Sequence, residues 1–68
     1  MIEHFSEEIA GTSTFLFRIG NYFAWCTEKE GEEVGDWFTL GAEKPTSEQV
    51  SEAFDLLRQQ AVTKLSKI

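Results

Sequence analysis

The chain has 68 residues and a formal net charge of −6, because twelve aspartates and glutamates outnumber six lysines and arginines. This length predicts one domain with a thin core, since so short a chain buries only about 60% of the surface that its unfolded form exposes. Binding to nucleic acid or to an anionic membrane requires a basic face, and the sequence has no cluster of bases to form one. No apolar run approaches the roughly 18 residues of a membrane span. The composition therefore favours a partner that is neither nucleic acid nor membrane.

Cys26 is the only cysteine. An internal disulfide is therefore ruled out, and a zinc site built from cysteines would lack ligands. The lone thiol, together with an acidic N-terminus that lacks the pattern of a secretory signal, predicts the cytoplasm. The sequence also lacks a glycine-rich phosphate loop and a serine elbow, so neither a cofactor nor an enzymatic activity is expected.

The sequence of residues 1–10 is compatible with two kinds of secondary structure. Ile2, Phe5 and Ile9 match one face of a short N-terminal helix that Gly11 would end. An edge strand is also compatible with this segment.

Residues 12–41 predict a β-meander. Two runs rich in β-forming residues, 14–19 and 22–27, are separated by Gly20-Asn21, a pair that suits a two-residue hairpin turn. With that turn, residue i lies opposite residue 41−i. A third strand at 36–40 follows an acidic loop at 28–35, so the predicted meander has three strands.

Alternation of side chains divides the central hairpin into two faces. Face one carries Phe15, Phe17, Ile19, Tyr22, Ala24 and Cys26, and face two carries Thr14, Leu16, Arg18, Phe23, Trp25 and Thr27. Because face one is continuously apolar, it is predicted to pack against a helix, with Cys26 as a buried core thiol. Phe38 and Leu40 are expected to point inward, and Trp37 to lie on face two beside Trp25.

The segment 46–67 predicts a long amphipathic helix. Thr46 is suited to be its N-cap, and Gln49 to complete a capping box. Apolar residues then recur at helical spacing, namely Val50, Phe54, Leu57, Ala61, Leu65 and Ile68. The predicted fold class is α+β: a three-stranded antiparallel sheet with this helix on one face, with or without the short N-terminal helix, (α)βββα.

Two candidate chemical sites are weak. His4, the only histidine, has no nucleophile placed beside it by the sequence, which favours an ordinary surface role. The acidic residues at 28–36 do not follow the order of a calcium-binding loop, so no metal site is expected. They form either a solvated loop that maintains solubility or a charge cluster that mimics phosphate and steers a basic partner.

Face two is the candidate binding surface, because exposed aromatic residues and arginine are typical interface anchors. The predicted interface comprises Leu16, Arg18, Phe23, Trp25 and Trp37, together with the acidic residues Glu28, Glu30, Glu32, Glu33 and Asp36. The alternative is that residues 1–10 cover this face and make it a second small core. Stacking of nucleic-acid bases on the rings is disfavoured by the missing basic groove.

In size and charge the chain resembles the small acidic inhibitors that phages and mobile elements direct against host defence enzymes, which include anti-CRISPR and anti-restriction proteins. The resemblance rests on no motif, so no residue roles are transferred. It implies a non-enzymatic regulator that binds a host protein with a basic surface in the host cytoplasm. The alternative is a structural module, a homodimer or the small subunit of a larger complex, in which face two mediates assembly.

Overall fold

The computed structural model describes residues 2–67, which form four strands and a helix. Strands β1 (Ile2–Ile9), β2 (Thr12–Ile19), β3 (Tyr22–Lys29) and β4 (Glu32–Thr39) precede helix α1 (Ser47–Leu65). The strands form one antiparallel sheet in the order β1-β2-β3-β4. Met1 and Ile68, the last residue of the predicted helical stripe, lie outside the described residues. Within residues 2–67, no helix combines the length and the apolar character that a bilayer crossing requires.

The α+β class is confirmed, but the prediction of three strands is wrong, because residues 2–9 form a fourth strand. This strand pairs with β2 along its whole length, from Ile2 opposite Ile19 to Ile9 opposite Thr12. An isolated helix of this length is marginal in water, whereas the strand satisfies its inward backbone groups on β2. Sheet pairing therefore overrides the helical spacing of the apolar residues.

The predicted acidic loop at 28–35 is a third hairpin. β3 continues to Lys29 and β4 begins at Glu32, so only Glu30 and Gly31 form the turn. Both have positive φ angles, 54° and 81°, as Ala10 and Gly11 do in the first hairpin. Two positive φ angles define a tight hairpin turn that usually contains Asn-Gly or Asp-Gly. Neither Ala-Gly nor Glu-Gly has that signature, which makes these turns hard to predict.

The register of the central hairpin is confirmed. Phe15 lies opposite Cys26, and the pairing continues in step to Ile19 opposite Tyr22. Gly20 has the positive φ angle, 61°, that the turn requires. Beyond β4, the Leu40 N–H donates to the Asn21 carbonyl at 2.9 Å, which extends the sheet by one residue.

The helix and its capping box are confirmed. Thr46 Oγ1 accepts a hydrogen bond from the Gln49 N–H at 3.2 Å, and Gln49 Oε1 accepts one from the Thr46 N–H at 2.9 Å. At the other end, Lys29 Nζ donates to the Leu65 carbonyl at 3.0 Å and satisfies a free carbonyl of the last turn. The residues of the helix that the sheet buries are Ala53, Phe54, Leu57, Ala61 and Leu65.

The helix packs on face two, which reverses the predicted assignment of the faces. The outer strands favour this, because they add four apolar residues on the helix side (Phe5, Ile9, Val34 and Phe38) and only two, Ile2 and Trp37, on the other side. Burying the four side chains on the helix side gains hydrophobic free energy. Thr14 and Thr27 are polar residues buried on this face, but their hydroxyls remain hydrogen-bonded: they donate to the carbonyls of Thr12 and Ser13 at 3.1 and 2.6 Å.

Two arginines close the rim of this core. Arg18 Nη1 lies 2.8 Å from Glu3 Oε1, and the guanidinium lies 5.9 Å from the centroid of the Phe23 ring, within the range of a cation–π contact. Arg58 Nε lies 2.7 Å from Glu7 Oε1 and ties α1 to β1. Polar side chains thus cover the edges of an otherwise apolar interface.

Candidate functional site

The face of the sheet that the helix leaves uncovered is called the open face. Its residues are Ile2, His4, Ser6 and Glu8 on β1, Ser13, Phe15, Phe17 and Ile19 on β2, Tyr22, Ala24, Cys26 and Glu28 on β3, and Glu33, Gly35, Trp37 and Thr39 on β4. Several large apolar side chains are exposed there, among them Ile2 and Trp37, which are 63% and 59% exposed. Contiguous exposed apolar surface of this kind marks interaction sites.

Five rings form a continuous row across the open face. His4 stacks on Phe15 with ring centroids 5.5 Å apart, and Phe15 contacts Phe17 at 5.8 Å. Phe17 contacts Tyr22 at 6.4 Å, and Tyr22 stacks on Trp37 at 5.5 Å. All four distances fall within the range of favourable aromatic pairs. The rings therefore support one another and form a pre-organised platform from β1 to β4.

A trough runs along β3 within this face. Its floor consists of small residues, Ala24 and Cys26 on β3 and Gly35 opposite Cys26 on β4. A Cβ atom at position 35 would lie 2.5 Å from the Trp25 carbonyl oxygen, so the close approach of the two strands requires glycine there. Trp37 forms one of the walls.

The trough consists of two joined grooves. One, of about 400 Å³, lies among the aromatic rings beside Trp37. The other, of about 280 Å³, lies beside Phe15 and Glu28. Both are lined by Cys26 and Glu33. The trough therefore leads from the aromatic rings to a pair of carboxylates.

The carboxylate end of the trough carries uncompensated charge. Glu28 lies directly opposite Glu33, and like charges in that position destabilise a sheet. No lysine or arginine occupies an open-face position on the four strands. Four bases of the described chain are engaged elsewhere: Arg18 and Arg58 in ion pairs, and Lys29 and Lys64 in hydrogen bonds to the carbonyls of Leu65 and Gly35. The open face is thus apolar at its centre and acidic at one end.

The structure divides the predicted interface between the two faces. Leu16, Phe23 and Trp25 lie in the core, so their predicted exposure is wrong, because the helix covers face two. Arg18 lies at the rim of that core, and Trp37 lies on the open face, away from Trp25.

The five predicted acidic residues do not form one loop. Glu28 and Glu33 share the open face, Glu30 lies in the turn, and Glu32 and Asp36 lie on the other side of β4. Only two of the five therefore lie on the open face, although Asp36 also borders the groove beside Trp37.

Cys26 and His4 both lie on the open face. Cys26 is half-buried in the floor of the trough, and not in the core beneath the helix as predicted, because the faces are reversed. His4 is exposed and stacked on Phe15. In the part of the chain that the structure describes, no three His, Cys, Asp or Glu side chains approach one another as a metal site.

The two edges of the sheet differ. On β4, the outward carbonyl of Gly35 accepts a hydrogen bond from Lys64 Nζ at 3.0 Å, and the outward N–H of Trp37 donates to Asp36 Oδ1 at 2.8 Å. On β1, pairing with β2 directs the backbone groups of His4, Ser6 and Glu8 outward, and they have no partner among residues 2–67. β1 is therefore the open edge, which is the type of edge that proteins usually protect.

Sequence reasoning missed the open-face residues Phe15, Phe17 and Tyr22 as binding candidates by placing them under the helix. The signal that identifies them is the polarity of their neighbours across the sheet, such as Ser6 opposite Phe15. That signal depends on recognising β1 and the full length of β4.

No protein-family model matches the chain, and no curated protein and no solved structure matches it significantly. Function is accordingly inferred from the open face itself.

Proposed function

We propose that this protein is a non-enzymatic regulator that binds another protein through the open face of its sheet. The observation that carries the proposal is the uncovered row of five rings from His4 to Trp37. Burying such rings supplies much of the free energy of protein association, and tryptophan and tyrosine are frequent hot spots. A pre-organised platform also loses little conformational entropy on binding.

The charge of the open face favours a protein partner over nucleic acid. Rings on a sheet also stack with bases in single-strand-binding proteins, but those proteins combine the rings with a basic groove. Here the trough ends at Glu28 and Glu33, and the face has no lysine or arginine. A phosphate backbone would be repelled at that end.

The finer proposal is that the protein inhibits a host nucleic-acid-processing or defence enzyme in the host cytoplasm. Its support is the net charge of −6 on 68 residues and the concentration of carboxylates at one end of an apolar surface. Such a surface matches a partner whose apolar patch adjoins the basic groove in which it holds nucleic acid. The anti-CRISPR and anti-restriction proteins are inhibitors of this class.

The test compares how well two variants capture the partner. Each variant replaces a single exposed apolar residue. Trp37→Ser removes a ring of the open face that is 59% exposed, and Val62→Ser replaces an apolar residue at a 47%-exposed position on the helix. We expect partner binding to weaken by about 2 kcal/mol or more in Trp37→Ser and to be retained in Val62→Ser. Circular dichroism verifies that both variants fold. Equal capture by both variants would contradict the proposal.

A second candidate function, an assembly module, is favoured by the open edge of β1. Two copies of β1 pairing through the free backbone groups of His4, Ser6 and Glu8 would join two sheets into one. Ser6→Pro removes an outward N–H without breaking the β1–β2 pairing, so it blocks such an assembly selectively. Light scattering that shows a dimer in the wild type and a monomer in Ser6→Pro would favour this function over the first.

A further inference from the structure

We infer that the trough binds an extended segment of the partner protein, and that this segment presents a lysine or arginine to Glu28 and Glu33. The inference rests on the proposed function, because it names the chemistry that the open face recognises in its partner. It depends on three observations: the shape of the trough, the charge at its end and the absence of a matching charge on the open face.

The shape of the trough suits an extended chain or a long side chain. From Ala24 to Glu28 the β3 backbone advances by about 13 Å, which is the length of about four extended residues. The floor is low where Gly35 lies opposite Cys26, and the rings of Phe17 and Trp37 rise near the other end. Lysine and arginine combine an apolar stem, which suits such a floor, with a charged head that requires polar partners.

The charge at the end of the trough favours a cation. Cβ atoms of residues directly opposite in a sheet are about 5 Å apart, so the carboxylates of Glu28 and Glu33 repel each other at neutral pH. A guanidinium or ammonium group between them would replace this repulsion with charge-assisted hydrogen bonds. The nearby base in sequence, Lys29, points to the other side of the sheet and binds the Leu65 carbonyl.

A second copy of the chain does not supply this cation from its own open face, which carries carboxylates and no lysine or arginine in the described strands. Each copy also has a net charge of −6, so long-range electrostatics oppose self-association and favour a basic partner. The occupant of the trough is therefore a basic segment of a different protein.

The experiment is selection of random linear peptides of about a dozen residues, displayed on phage, against the full-length protein. Counter-selection uses Cys26→Leu, which fills the floor of the trough opposite Gly35. We expect the selected peptides to share a lysine or arginine flanked by apolar residues. A selected peptide, synthesised and added to the wild type, should also slow alkylation of the Cys26 thiol in the floor.

A charge-matched pair of variants tests the role of the carboxylates. The selected peptide should bind Glu28→Gln/Glu33→Gln at least about tenfold more weakly than the wild type. Glu43→Gln/Glu52→Gln removes the same charge from exposed positions outside the open face, and it should bind within about twofold of the wild type.

The outcomes separate this inference from the proposed function. Peptides without a basic residue, or equal binding by the two double variants, would overturn the inference while the open face remains a binding surface. The inference also fails if no peptide is enriched, or if light scattering shows a dimer that protects Cys26. Partner capture that is unaffected by Trp37→Ser would overturn the proposed function as well.

Discussion

Trp25 and Trp37 lie on opposite faces of the sheet. Trp25, on β3, is 1% exposed beneath α1, whereas Trp37, on β4, is 59% exposed and stacks on Tyr22. The two indoles therefore report separately on the core and on the open face, and the chain contains no other tryptophan.

Replacing Trp37 with phenylalanine should remove the accessible indole and leave the buried one. We expect acrylamide quenching of the fluorescence to fall to the level of a buried tryptophan, and the emission maximum to shift to shorter wavelength. The free energy of unfolding should change by less than about 0.5 kcal/mol, because the ring lies at the surface. Strong residual quenching would show that Trp25 is accessible and that the assignment of the faces is wrong.

A side chain at position 35 should destabilise the sheet. The Cβ atom of Gly35→Ala would lie 2.5 Å from the Trp25 carbonyl oxygen and 3.3 Å from Cys26 Cα, so the backbone must shift. Overpacking of this kind typically costs about 1–3 kcal/mol. Chemical denaturation measures this loss. Gly41→Ala is the matched control, because a Cβ at that position meets nothing within 4 Å, and it should leave stability nearly unchanged.

Neutralising Glu7 should weaken the tie between β1 and α1. Hydrogen bonding to Glu7 raises the pKa of Arg58, so the arginine stays charged far beyond neutral pH, and its deprotonation removes the stabilising contribution only in strong alkali. Salt concentration is therefore a better variable than pH for testing this ion pair. Glu7→Gln should destabilise by about 0.2–1 kcal/mol at low salt, because both partners are about one-third exposed, and by less at 1 M salt.

The control for this prediction is Glu8→Gln. Glu8 carries the same charge, but it is exposed on the open face and has no ion pair among residues 2–67. A salt-independent loss in Glu7→Gln, or an equal loss in Glu8→Gln, would contradict an electrostatic origin.

The central hairpin and the helix could be predicted from local sequence signals. Gly20-Asn21 sets the register from Phe15 to Cys26, and Thr46 with Gln49 marks the start of the helix. Both signals act between neighbours in the chain, where the physical chemistry of a turn or a cap depends on few residues.

The candidate site could not be predicted in the same way, because it depends on the whole sheet. Judged from the central hairpin alone, face one is the more apolar face, which predicts that Phe15 and Phe17 belong to the core. The outer strands shift this balance, because Phe5 from β1 and Phe38 from β4 pack against the core on face two. When one face of a sheet is assigned to the core, the other becomes the binding surface. Assigning face one to the core therefore misplaced both the predicted core and the predicted binding surface.

Replacing Gln60 with methionine tests a polar defect beneath the helix. Gln60 Oε1 and Trp25 Nε1 are buried, and neither has a hydrogen-bond partner among the described residues. An unsatisfied buried acceptor typically costs about 1–3 kcal/mol, so removing it should leave the free energy of unfolding unchanged or raise it by about 1 kcal/mol. Gln59→Met, at the exposed neighbouring position, controls for the change in helix propensity and hydrophobicity. A loss of more than about 1 kcal/mol specific to Gln60→Met would show that the amide oxygen is hydrogen-bonded in solution.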